Sequence, residues 1–216
     1  MKSSRWFLAL IAFIILIHAA AANAGSIDMD DPKRALGREG DVRIDAQLVR
    51  DTVSPGAPIG VTYQIQNFST SAVAVAAKAS DASYDADTRT VTLALGSEVP
   101  PDGNMPQMVL IAPGEKKIFQ AAATPKLSAQ AMRSSFAVTP RFVQVKVAIM
   151  RNVEPFAQLI QTQDGRTKRR LSDELFETWF ECNDTIFLNT VPVQFVPAGA
   201  GAGSAESASN RSMSGF

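Results

Sequence analysis

The sequence predicts an all-β protein, an antiparallel β-sandwich with a short helical insertion before its last strands. Three observations carry this. Apolar and polar residues alternate at period two in several short runs, the cleanest being Ile59, Val61, Tyr63 and Ile65 against Gly60, Thr62, Gln64 and Gln66. Pro-Gly turns at Pro55-Gly56 and Pro113-Gly114 separate such runs, and one late stretch changes to helical spacing. Alternation puts one face of a strand on a core and the other in water, and many short strands with turn signals between them make two packed sheets.

The elements follow in order. Residues 1–24 read as a secretory signal: Lys2 and Arg5 open it, Trp6–Ile17 is an apolar run of 12, and Ala22-Asn23-Ala24 supplies a cleavage site. Trp6–Ala22 also has the bare length of a membrane span, so an uncleaved anchor is the alternative. Residues 25–41 are polar, without apolar periodicity, and read as an N-terminal arm. The domain then runs over 42–196. Its expected strands are Val42–Leu48, Ile59–Gln66, Ala72–Ala79, Ser83–Asp85, Thr90–Leu95, Gln107–Ile111, Lys117–Ala122, Val143–Ile149, Ile186–Leu188 and Val191–Phe195. Ser83–Asp85 and Thr90–Leu95 flank a polar turn and form a hairpin.

Lys126–Arg133 has helical composition and reads as a short helix or crossover. Between Gln163 and Asn183, Leu171, Leu175, Trp179 and Cys182 recur at i, i+4, i+8 and i+11, with Glu174, Glu177 and Glu181 on another face. That spacing suggests an amphipathic helix, and a strand over Phe176–Cys182 is the rival. Residues 197–216 are Gly, Ala and Ser with few charges, the composition of a flexible tail.

The run Val53-Ser54-Pro55-Gly56-Ala57-Pro58-Ile59-Gly60-Val61-Thr62-Tyr63, then Ile65-Gln66-Asn67, resembles the opening of bacterial exported immunoglobulin-like modules. There a Pro-Gly turn feeds an alternating strand that ends in Asn. Ala112-Pro113-Gly114-Glu115-Lys116-Lys117 is similar to a later turn of those domains. Together the two cover roughly Val42 to Met150. The resemblance implies an immunoglobulin-like sandwich and extends to adhesion-like repeats, pilus-chaperone N-terminal domains and a small bacterial proteinase-inhibitor family. The chaperones' basic pair has no counterpart here, and the chain between Met150 and the tail is too short for their second domain. Turn chemistry of this kind implies a fold and selects no function.

Charge and rare residues exclude more. The chain has 21 basic and 21 acidic side chains, one His and one Cys. Removal of residues 1–24 takes Lys2, Arg5 and His18, leaving 19 basic against 21 acidic and no histidine. Serine–histidine and cysteine–histidine catalysis, histidine-ligated zinc and multi-cysteine metal sites go with it. A near-neutral chain lacks the basic face that nucleic acid requires. Neither an enzyme nor a cofactor is expected. Cys182 alone reads as a buried inert thiol, with pairing between chains as the alternative. Asp81, Asp85 and Asp87 read as turn residues, with calcium as the alternative.

Two features stand out as partner-binding candidates. Arg166, Lys168, Arg169 and Arg170 form the one dense basic run: either a solvated loop that pairs with the acidic helix face beside it, or a docking patch. Phe176, Trp179 and Phe180 either pack the insertion on the sandwich or anchor an interface. The expected function is therefore a non-catalytic, periplasmic or secreted module that binds another envelope or secreted protein by a strand edge or loop. It does not insert stably in the membrane after cleavage. The alternatives are a proteinase inhibitor presenting Gln163–Arg170 and a small-ligand or carbohydrate-binding module.

Overall fold

The computed structural model describes residues 27–128, 132, 134, 137–164 and 167–197. The expected signal 1–24, nearly all of the expected tail, Arg166 and much of Lys126–Arg133 lie outside the described residues.

The protein is built mostly of strands. Four of them, β1 (Arg34–Glu39), β2 (Val42–Leu48), β4 (Ile59–Asn67) and β10 (Lys116–Ala123), make an antiparallel sheet in the order β1-β2-β4-β10. The second sheet runs β6 (Ser80–Asp85), β7 (Thr90–Leu95), β11 (Phe142–Met150), β5 (Val73–Val75), β9 (Val109–Ile111). β13 (Asn183–Phe187) and β14 (Val191–Pro192) also pair with β11. Two-residue ladders join β3 (Thr52–Val53) to β15 (Gln194–Phe195) and β8 (Asn104–Met105) to β12 (Arg169–Arg170).

The expectation of purely antiparallel pairing needs correction. β7 and β11 run parallel from Thr90↔Phe142 to Leu95↔Val147, and β3 and β15 are parallel as well. Parallel neighbours need a long crossover, and the chain from 96 to 141 supplies one. Lys146 pairs with both Ala94 and Phe187, and Met150 with both Ala74 and Asn183. β5 therefore takes over the edge of β11 where β7 stops. Gly96 marks that handover: its φ is +79°, and a Cβ there would sit 2.4 Å from the Ala148 carbonyl oxygen. Only glycine lets the two backbones pass so closely.

The 25–41 arm is corrected too, since residues 34–39 form an edge strand registered on β2 from Arg34↔Gln47 to Glu39↔Val42. Its inward residues are small. Ala35 is buried, and at Gly37 a Cβ would lie 3.0 Å from Leu188 and the Phe187 carbonyl. No large apolar alternation announces such a strand.

A single apolar cluster fills the space between the two sheets. Ile44, Val61, Tyr63 and Ile65 come from one sheet and Val91, Leu93, Val145 and Val147 from the other. These are the residues at alternate positions, so the period-two pattern is the direct cause of this core. At the β5 end of the second sheet both faces are covered. Val73 and Val75 belong to the main cluster, while Ala74, Ala76 and Met150 belong to a second one. That second cluster is completed by Phe156, in the 3-10 turn Glu154–Phe156, and by two helices, α1 (Ala157–Gln161) and α2 (Asp173–Cys182), through Ile160, Trp179 and Cys182. α2 begins where the helical spacing predicts, with the Ser172 hydroxyl accepting a hydrogen bond from the Leu175 amide at 3.3 Å. The strand alternative for Phe176–Cys182 is thereby removed.

Asn67 ends β4 and is fully buried. Its side-chain amide donates to the carbonyls of Ser71 (2.8 Å) and Ile111 (3.0 Å), and its Oδ1 accepts from the Ser69 amide and hydroxyl. Its backbone pairs with Gly114 and Glu115. Two of the chain's crossings between the sheets, β4 to β5 and β9 to β10, are thus tied to one side chain.

The sheet edges are bridged. The Asn189 backbone amide donates to the Leu36 carbonyl of β1, and its side chain accepts from the Leu36 amide. On the other side the Ser80 hydroxyl of β6 donates to the Ala122 carbonyl of β10 at 3.0 Å.

Candidate functional site

The expected partner-binding residues lie in the insertion that caps the second sheet, but they do not act alike. Trp179 is fully buried. Its ring meets Phe156 edge-on with centroids 5.6 Å apart, and its indole N–H donates to the Glu98 carbonyl at 3.1 Å. As an exposed anchor Trp179 is therefore corrected: it is the pin that fastens α2 to the sheet. Phe176 is half-buried. Phe180, 49% exposed, faces outward and packs on Phe176 edge-on at 5.4 Å.

Arg166 lies outside the described residues. Lys168 and Arg170 are exposed, and Arg169 is half-buried. The Arg169 guanidinium donates to the Thr162 hydroxyl and, at 2.8 Å, to the Thr162 carbonyl. The β8–β12 ladder sets Arg169 opposite Met105 and Arg170 opposite Asn104. Among the described residues, no ion pair joins Lys168, Arg169 or Arg170 to a carboxylate. The acidic residues of α2, Asp173, Glu174, Glu177 and Glu181, form none either. Among the described residues, Lys168, Arg169 and Arg170 are thus not neutralised by the carboxylates of α2, and the β12 ladder holds Arg169 and Arg170 against β8.

Between these segments lies a cavity of about 230 Å³, lined on one side by residues of 101–107 and on the other by Leu159, Gln163, Thr167, Lys168 and Arg169. Gln163 is fixed in its wall. Its Oε1 accepts from the Met108 amide at 2.7 Å and its side-chain amide donates to the Ile160 carbonyl at 3.0 Å. Asp102, on the facing wall, has a left-handed backbone with φ of 54°. This cavity is the element that sequence reasoning missed. The basic run pointed at one wall; nothing in the sequence pointed at 101–107 as the other.

Glu98 ties the cap to the exposed face of the second sheet. Its carboxylate meets Lys146 at 2.7 Å and accepts from the Thr185 hydroxyl at 3.0 Å, while its carbonyl takes the Trp179 N–H. The Lys146 ammonium, with lesser help from Thr185, holds this carboxyl below the usual range. Cys182 is buried beneath α2, and burial, with Glu181 nearby, pushes its thiol up, away from the reactive thiolate.

Asp85 serves the turn after β6, whereas Asp81 lies within β6 opposite Ala94. Asp85 accepts from the Asp87 amide at 2.9 Å and the Thr88 hydroxyl at 2.8 Å, which holds its carboxyl low. Asp81 accepts from the Ala82 amide. Among the described residues no three His, Cys, Asp or Glu side chains come together as metal ligands, and no helix is long and apolar enough to cross a membrane. Compared with protein-family models, curated proteins and solved structures, the chain has no match.

Proposed function

We propose that the protein is an exported immunoglobulin-like β-sandwich module that binds a partner protein, without catalysis, through the insertion between β11 and β13. The observation that carries this is the contrast within the insertion. Trp179, Phe156 and Cys182 bury it against the sheet, while Phe180 stays 49% exposed on the same helix as Glu177 and Glu181, which form no ion pair among the described residues. A fixed scaffold that displays an aromatic group amid unpaired charge has the make-up of a recognition surface. Loop contact is favoured over strand addition because Asn189 and Ser80 bridge the flanks of the two sheets. The immunoglobulin-like reading is supported by the Pro55-Gly56 turn, the alternation of β4 and the Asn67 lock. The export reading is supported by residues 1–24.

The test is affinity purification of the tagged protein from the envelope fraction, with mass measurement of its N-terminus. The expected result is a chain beginning at Gly25 and a protein that co-purifies with the wild type and with Phe68→Ser, but not with Phe180→Ser or Arg170→Glu. Phe68 is an exposed control far along the chain from the insertion. Retention of the same protein by all variants would overturn the docking reading. A cytoplasmic, unprocessed chain would overturn export.

A further inference from the structure

The cavity beside β8 and β12 has its own chemistry, separate from the exposed Phe180 surface. Its volume, about 230 Å³, is below the range of drug-sized pockets and suits a group the size of one amino-acid residue, not an oligosaccharide. Its walls include Pro101, Met105, Pro106 and Leu159, which offer apolar contact. Two cations, Lys168 and Arg169, line the same space.

Arg169 is the telling residue. It is half-buried, yet among the described residues its guanidinium bonds only to neutral oxygens of Thr162. A partly buried cation without a counter-ion attracts an anion more strongly than a solvated one, since less water screens it. The Thr162 bonds also hold the guanidinium in place before any ligand arrives, so little side-chain freedom is lost on binding. Gln163, pinned by Met108 and Ile160, is likewise fixed. Among the described residues of the lining, Asp102 is the one carboxylate against Lys168 and Arg169, an excess of one positive charge.

We infer that this cavity binds a small apolar monocarboxylate, its carboxylate drawn to Arg169 and Lys168 and its hydrocarbon part held by Met105, Leu159 and the two prolines. This ligand goes beyond the protein-docking reading and does not depend on it. Phenylacetate, hexanoate and indole-3-acetate are the probes, with phenylacetamide lacking the charge and acetate lacking the apolar group. Amide chemical shifts of the full exported chain are followed during titration.

At least one of the three probes should bind with a Kd of about 1 mM or tighter, a fair affinity for ligands of this size. Shifts should be confined to 101–108 and 159–170. Phenylacetamide and acetate should bind at least about tenfold more weakly. Arg169→Gln should weaken binding about tenfold or more, and Asp102→Asn should strengthen it, because it removes the opposing charge. Failure of all three probes, equal binding of phenylacetamide, or shifts elsewhere would overturn the inference. So would unchanged affinity in Arg169→Gln with the native spectrum otherwise retained. Phe180→Ser, which abolishes protein docking, should leave phenylacetate binding unchanged, so the two readings fail separately.

Discussion

The molecule has two apolar cores that share one sheet, and they are built by different rules. The core between the sheets is made mainly of Val, Ile and Leu at every second position of strands. The cluster beneath the helices is made of Ala74, Ala76, Met108, Met150, Phe156, Trp179 and Cys182, drawn from strands, loops and helices with no common period. Small residues on the sheet let a large aromatic residue descend onto it. Met fills what remains, as its flexible side chain suits irregular gaps. The first core makes the fold; the second fastens to it the segment that carries the candidate site.

Removing the pin should have the largest effect. Trp179→Ala deletes the largest side chain of the second cluster and strands the Glu98 carbonyl, and should cost about 3–5 kcal/mol. The loss should fall on the cap. Hydrogen exchange is expected to quicken first in α1, α2 and β12, with β2, β4 and β10 still protected. Denaturant unfolding followed by far-UV circular dichroism gives the total. A loss spread evenly over both sheets would mean that the two clusters are one cooperative unit.

The difference between the cores also explains what could be read from the sequence. β2, β4, β7 and β11 were legible because a half-buried strand writes its face into every second residue. The inward residues of β4, Ile59, Val61, Tyr63 and Ile65, are the ones found buried. At Ala148, Ile149 and Met150 the pattern stops alternating because both faces of β11 are covered there. β1 stayed hidden because its inward residues are Ala35 and Gly37. β8 and β12 have two residues each, too few to carry any period. The helix α2 was legible from its spacing. Its outcome for Trp179 was not, since spacing gives a face but not the Glu98 carbonyl that awaits the indole. Of the candidate site, the basic wall was visible and the 101–107 wall was not, because their meeting depends on a ladder between residues 64 positions apart in Met105↔Arg169.

Two buried polar side chains of β4, four residues apart, sharpen the comparison within the main core. Asn67 spends its whole amide on four hydrogen bonds. Asn67→Ala should leave the Ile111 carbonyl unpaired inside the protein and release the Ser69–Ser71 turn. About 1–3 kcal/mol of stability should be lost, read from chemical denaturation. Asn67→Asp should do no better, as a carboxylate cannot donate to the Ser71 and Ile111 carbonyls. A loss well under 1 kcal/mol would show that the β4–β5 and β9–β10 crossings hold without this lock.

Tyr63 is the opposite case, and the effect should be smallest and of opposite sign. It is fully buried and stacks on Phe119 with centroids 5.2 Å apart, and its hydroxyl has no hydrogen-bond partner among the described residues. Burial alone raises its ionisation far above the ordinary tyrosine range, so it stays neutral at any ordinary pH. A buried hydroxyl without a partner has lost its water and gained nothing in exchange. Tyr63→Phe keeps the ring and its stacking and removes only that oxygen. Stability should hold or rise by up to about 1 kcal/mol, with the denaturant slope unchanged. The indole N–H in the second cluster has its acceptor, so the same logic applied there gives a loss. A fall in stability of Tyr63→Phe by more than about 1 kcal/mol would mean that the hydroxyl has a partner in solution, and that the main core is not the dry, purely apolar one its alternation describes.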